Sequence, residues 1–184
     1  MSTNTLFASL PNLISLGRLI LVPVIIALIV QPSWDLAFAL FLVAGVSDAI
    51  DGWLAKRFDL RSELGAYLDP LADKALLVSI YVSLAVVGVL PAAIAILVVS
   101  RDLMIVSAVV VSWVMGRPVA IRPLLVSKIN TLAQIALATL VLLAKSAEWD
   151  LAPWLPFALY VIATLTLASA LAYLVQWLRH MELY

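Results

Sequence analysis

Four aspartates carry the most specific chemical signal in the chain: Asp48 and Asp51 in Ser47-Asp48-Ala49-Ile50-Asp51-Gly52, and Asp69 and Asp73 in Leu68-Asp69-Pro70-Leu71-Ala72-Asp73-Lys74. The first pair is three residues apart and the second four. On helices each pair therefore shares a face, and two such faces set against each other make an oxygen-lined metal cage. The carboxylates also need compensation, because an Asp at mid-membrane depth costs about 2.5 to 3.5 kcal/mol on insertion scales. Bound divalent metal is the simplest source of it, and pairing with Lys74 or Arg101 is the next. The chain has no cysteine and one histidine, His180 near its end. Thiolate and disulfide chemistry are excluded, and oxygen ligands favour Mg²⁺, Mn²⁺ or Ca²⁺ over zinc or copper.

Gly52 and Gly65 flank the aspartate pairs. Without a Cβ, each lets a bulky phosphate approach the backbone; close helix packing would use the same property. Lys56 lies on the broad face of Asp48 and Asp51 and can offer a point charge to a phosphate.

The elements that must position these groups are membrane helices. Of the 184 residues, 65% are hydrophobic and only 12% charged, far more apolar than a water-soluble domain of this length. Six stretches reach the roughly 20 apolar residues that a bilayer core requires: Leu13–Val30, Trp34–Ala55, Leu68–Val89, Pro91–Met115, Leu124–Ala144 and Leu155–Trp177. The expectation is one all-α domain over residues 1–184, a six-transmembrane-helix bundle with a cytoplasm-facing polar cavity. Breaks fall at Gln31-Pro32-Ser33, Gly88 to Pro91, Gly116-Arg117-Pro118 and Pro153 to Pro156. The segment Leu6 to Leu10 before Pro11 reads as a short interfacial helix or a frayed end, and no Lys or Arg precedes Leu13, so the first apolar segment is expected to stay in the membrane.

Lys56, Arg57 and Arg61 follow the second stretch, Arg117, Arg122 and Lys128 surround the fourth-to-fifth connection, and Arg179 follows the sixth. The opposite connections hold only Lys145. The positive-inside rule then puts both termini and the aspartates on the cytoplasmic side. Lys plus Arg equal Asp plus Glu at 11 each, and no basic run points to nucleic acid.

Residues 48–73 resemble the signature of the CDP-alcohol phosphatidyltransferases, D-x-x-D-G-x-x-A-R-x8-G-x3-D-x3-D. Every spacing matches, and Lys56 stands where the family has Arg, which keeps the charge and loses the planar fork. The resemblance implies that Asp48, Asp51, Asp69 and Asp73 bind two divalent ions, Mg²⁺ or Mn²⁺. It also implies that Gly52, Ala55, Lys56 and Gly65 hold the CDP moiety of CDP-diacylglycerol, and that Asp73 doubles as the base.

Outside the signature, Arg18 interrupts the first stretch, Arg101 and Asp102 the fourth, and Lys128, Asn130, Thr131 and Gln134 the start of the fifth. Arg18, near the end of its predicted span, is expected either to snorkel to lipid phosphates or to bind substrate. Adjacent Arg101 and Asp102 point about 100° apart and are expected to meet different partners. Lys128, Thr131 and Gln134 recur every three residues as a polar stripe, so Arg101, Lys128 and Gln134 are candidates to bind an anionic acceptor.

Ser100-Arg101-Asp102 and Val126 to Thr131, with Leu68 to Lys74, are similar to stretches of the family's CMP-forming cardiolipin synthases. That similarity implies phosphatidylglycerol as acceptor; glycerol 3-phosphate, used by the phosphatidylglycerophosphate synthases, remains the alternative. The family also implies a homodimer, although the chain has no GxxxG motif. An ion-coupled transporter is the reading of another class, since such proteins also carry intramembrane charge.

Overall fold

The computed structural model describes residues 3–58, 63–116 and 124–182, with side chains described from residue 14 onward apart from those at 51, 53–58, 63–71 and 182. The described residues form six helices and no strand: α1 (Thr3–Val30), α2 (Trp34–Phe58), α3 (Glu63–Val86), α4 (Ala92–Val114), α5 (Leu125–Ser146) and α6 (Leu155–Glu182). Even α5, the shortest at 22 residues, is about 33 Å long at 1.5 Å per residue, enough for a bilayer core. Among the described residues, α4, α5 and Leu155–Met181 of α6 are long and apolar enough to span, and Ile14–Val30 is a shorter apolar helix. The exposed surface is rich in large apolar side chains such as Ile20, Val86, Ile96, Leu103 and Val110, as expected of helices solvated by lipid.

Turn chemistry ends the helices where the glycines stand. Gly88 has φ 73°, a left-handed conformation that glycine adopts without steric cost. Its N–H donates to the Ala85 carbonyl (3.1 Å) and the Val89 N–H donates to that of Leu84 (2.9 Å), the paired bonds of a Schellman stop. Gly116, φ 70°, ends α4 similarly, its N–H donating to the Trp113 carbonyl at 3.0 Å. Pro91, which has no N–H to leave unsatisfied, precedes α4. The expected break at Pro11 does not occur, because α1 runs continuously from Thr3; neighbouring helices help a membrane helix absorb a proline.

The helices close into a ring: α1 packs on α2 and α3, α2 on α5, α5 on α6, α6 on α4, and α4 back on α3, while α3 also meets α5 across the middle. The apolar core fills one half. Ile25 and Ile29, Ala37 and Phe41, Ile80 and Leu84, Ile94 and Val98, and Val141 and Leu142 are all buried, and all lie toward the turns at 31–33, 87–91 and 147–154. The other half contains Arg18, Asp48, Asp73, Arg101 and Asp102.

A buried polar cluster ties α3, α5 and α6 between these halves. Tyr81 donates its hydroxyl to the Gln134 carbonyl (3.0 Å), Gln134 Nε2 donates to Thr166 Oγ1 (3.4 Å), and Thr166 donates to Asn130 Oδ1 (3.0 Å). Such bonds contribute about 0.6 kcal/mol on average inside membranes and rarely more than 1.7. Thr166→Val keeps the shape and removes the hydroxyl, so it should destabilise the protein by about 1 kcal/mol. Thermal unfolding in detergent checks this, and an unchanged midpoint would contradict a structural role for the cluster.

Candidate active site

The site is built on three helices. Asp48 lies on α2 and Asp73 on α3, and both bond the guanidinium of Arg18 on α1: Nη2 meets Asp48 Oδ1 at 2.7 Å and Nη1 meets Asp73 Oδ1. Arg18 is 2% exposed. The snorkelling expectation is therefore corrected. With α1 beginning at Thr3 rather than Leu13, Arg18 sits mid-helix, buried against facing carboxylates that supply the compensation a buried charge requires.

A cavity of about 120 Å³ lies beside this bridge, lined by Arg18, Gly45, Asp48, Asp73, Lys74 and Thr131 among others. Gly45, Asp48 and Gly52 stand at i, i+3 and i+7 on one face of α2. A Cβ built at Gly45 or Gly52 would meet nothing within 4 Å. Among the described residues nothing in the packing requires glycine at either position, whereas a ligand approaching the backbone would use the open space.

Asp51 and Asp69 fall within helical backbone, so the i, i+3 and i, i+4 spacings of the two pairs are realised on α2 and α3. The side chains of Asp51, Ala55, Lys56, Gly65 and Asp69 lie outside the described residues. Among the described residues no group of three or more His, Cys, Asp or Glu gathers into a metal site. The donor set nevertheless fits a hard divalent cation: two carboxylates from different helices converge on one positive group, and every candidate ligand is oxygen.

On the other side of α3 lies a second charged cluster. Lys74 Nζ donates to both Asp102 oxygens at 2.9 Å, and Arg101 Nη1 meets Asp102 Oδ1 at 2.5 Å. Arg101 also donates to Ser169 from Nε (3.2 Å) and Nη2 (2.7 Å), donates to Ser127 Oγ, and stands 5.5 Å from the centre of the Tyr173 ring. The adjacent Arg101 and Asp102 thus pair with each other as well as with partners on α3, α5 and α6. A long guanidinium spans the angle between neighbouring positions. Ser127, Ser169 and Tyr173 were not singled out from sequence, because a lone Ser or Tyr in a span gives no periodic signal.

The stripe Lys128, Thr131, Gln134 divides in space. Lys128 is exposed, Thr131 half-buried on the cavity wall, and Gln134 fully buried in the α5–α6 cluster. Steps of three fall about 60° short of a turn, so residues six apart differ by roughly 120°.

A family model described as CDP-alcohol phosphatidyltransferase matches residues 8–178. The human cardiolipin synthase (CMP-forming) is 32% identical over 181 residues, covering 90% of this chain and 60% of the human protein. The CDP-diacylglycerol–glycerol-3-phosphate 3-phosphatidyltransferase of Bacillus subtilis (strain 168) is 32% identical over 182 residues, covering 90% of this chain and 93% of that protein. The chloroplastic CDP-diacylglycerol–glycerol-3-phosphate 3-phosphatidyltransferase 1 of Oryza sativa subsp. japonica is 32% identical over 186 residues, covering 91% of this chain and 56% of that one. The chain thus spans 60% of the human relative's length.

The Arg18 bridge generates a stability prediction. Arg18→Gln should lower stability by about 1 to 2 kcal/mol, the range for hydrogen bonds to charged groups reduced for screening, because the Asp48 and Asp73 side chains are 41% and 50% exposed. Arg18→Lys, with one point charge in place of the fork, should recover part of the loss. Denaturant unfolding in micelles measures both; equal stability in all three proteins would show that the bridge holds nothing together.

Proposed function

Because the chain belongs to the CDP-alcohol phosphatidyltransferase family, we propose that it transfers a phosphatidyl group from CDP-diacylglycerol to the hydroxyl of an alcohol and releases CMP. The observation that carries this reading is the convergence of Asp48 and Asp73 beside an open cavity, on helices whose backbone also carries Asp51 and Asp69.

The acceptor oxygen forms a bond to the β-phosphorus as the bond from that phosphorus to the bridging oxygen breaks. CMP leaves with the bridging oxygen and its electron pair, and the hydroxyl proton passes to the Asp73 carboxylate. Asp48, Asp51, Asp69 and Asp73 would hold two divalent ions, Mg²⁺ or Mn²⁺, which when bound offset the charge on the attacking and leaving oxygens. Gly52, Ala55, Lys56 and Gly65 hold the CDP moiety, Lys56 by its charge and the glycines by leaving the backbone open. Arg101 and Lys128 supply positive charge toward an anionic acceptor, and Gln134 braces the α5 wall that carries Thr131.

Phosphatidylglycerol is the proposed acceptor and cardiolipin the product, by likeness to the human relative. Glycerol 3-phosphate is the second reading, supported by the relative whose length the chain covers at 93%. The proposed setting is a single membrane domain with both termini and the aspartates on the cytoplasmic side, acting as a homodimer.

Two substitutions separate the aspartate roles. Asp73→Asn should remove most turnover, by 10²-fold or more for a lost general base, while CDP-diacylglycerol still binds. Asp48→Ala should abolish metal-dependent CDP binding measured by calorimetry. Near wild-type rates in the first, or unchanged affinity in the second, would refute those assignments. For the acceptor, labelled phosphatidylglycerol should appear in cardiolipin on product chromatography; phosphatidylglycerophosphate from glycerol 3-phosphate would replace that assignment and leave the transfer chemistry standing.

A further inference from the structure

A second space borders the aspartate cavity across α3. Lys74 and Thr131 also line a groove of about 400 Å³ that includes Val78, Val99, Arg101 and Asp102. Val99 in turn lines a third space of about 430 Å³ between α3 and α4, whose walls include Val82, Val86, Ala95 and Ile96. Shared lining residues thus set three neighbouring spaces in a row along α3, polar beside the aspartates and apolar toward Val86. From Lys74 to Val86 the row follows twelve residues of α3, about 18 Å of helix. One leaflet's share of an about 30 Å hydrocarbon core is similar.

The charge along this row is specific too. Lys74, Arg101 and Asp102 are the charged residues lining the groove, giving it a single net positive charge. The Arg101 side chain is 2% exposed and bonded to Ser127, Ser169 and Asp102, whereas that of Lys74, whose Nζ donates to both Asp102 oxygens, is 40% exposed. Lys74 is therefore the cation a ligand can touch, and Arg101 supplies fixed field behind it. A polar end carrying one positive charge, next to an apolar trough one leaflet deep, complements a phospholipid with one negative phosphodiester.

We propose that the α3–α4 groove seats an anionic phospholipid as acceptor, its phosphate at Lys74 and an acyl chain along Val78, Val99 and Val82, so that its headgroup hydroxyl reaches the aspartate cavity. This rests on the phosphatidyl-transfer reading and adds to it the place of the second lipid. Of the donor's CDP-binding positions, Gly52, Ala55 and Lys56 lie on α2 and Gly65 at the start of α3, eight residues or more before the part of α3 that lines the groove.

Filling the trough tests the assignment. Val99→Trp and Val82→Trp should each raise the KM for phosphatidylglycerol at least five-fold and change that for CDP-diacylglycerol less than two-fold. An unchanged phosphatidylglycerol KM, or an equal or larger rise for the donor, would overturn it. A second measurement needs no turnover. Because the chain has no cysteine, Val82→Cys places a single thiol in the trough and Val110→Cys a control thiol on exposed α4 surface. Phosphatidylglycerol added to neutral detergent should slow maleimide labelling of the first several-fold and not the second, and phosphatidylcholine should slow neither. Lack of protection would overturn the groove assignment whatever the enzyme does. Protection without CMP release from any acceptor would instead retain the groove and sink the transfer reading.

Discussion

Negative charge held within a helical bundle is the constraint on which the rest of this structure depends. Asp48 on α2 and Asp73 on α3 converge on one point, and without a cation between them their like charges would repel across that gap. A buried guanidinium from α1 spans the gap. That pairing ties α1 to both α2 and α3, and accounts for the one charged residue, an arginine at mid-length, in an otherwise uncharged helix. It also ties binding chemistry to architecture, because the carboxylates that would grip a metal and a nucleotide are those that hold three helices in register.

The two halves of the bundle solve different problems. Near the turns at 31–33, 87–91 and 147–154 the helices interlock through buried Ile, Leu, Val and Ala, with a groove left open between α3 and α4. At the other end polar groups keep them from closing. The two arginines there are each fixed by several partners: Arg18 by two carboxylates, Arg101 by Asp102, Ser127, Ser169 and the Tyr173 ring. Fixed charges give a pre-organised field at a reacting centre without reorganisation at the moment of reaction. Lys74 and Thr131 border both the cavity beside the aspartates and the groove between α3 and α4.

Much of this could be read in the residues. The aspartate spacings predict two opposed helix faces, and Gly88 and Gly116 mark helix stops because their positive φ is what those turns demand. Six apolar stretches correspond to six helices. What sequence hid was mainly a matter of reach and rotation. Reading Pro11 as a boundary shortened α1 and moved Arg18 to a helix end, so its buried role was missed. The three-residue rhythm of Lys128, Thr131 and Gln134 suggested one face, yet the helix turns enough in six residues to expose the first and bury the last. The Arg101–Asp102 neighbours were expected to part, and a flexible side chain joined them. Lys74 could be read as a counter-charge, but only the fold shows that it borders two cavities at once.

If these carboxylates are assembled for metal-dependent phosphatidyl transfer rather than for structure alone, the reaction must follow the divalent ion. The most direct measurement is CMP release from CDP-diacylglycerol by the purified protein in micelles containing phosphatidylglycerol and glycerol 3-phosphate, with Mg²⁺ or Mn²⁺ and then with excess chelator. The account predicts steady CMP release that stops with the chelator and resumes when the metal is restored. No release under any of these conditions, or release that ignores the chelator, would contradict it.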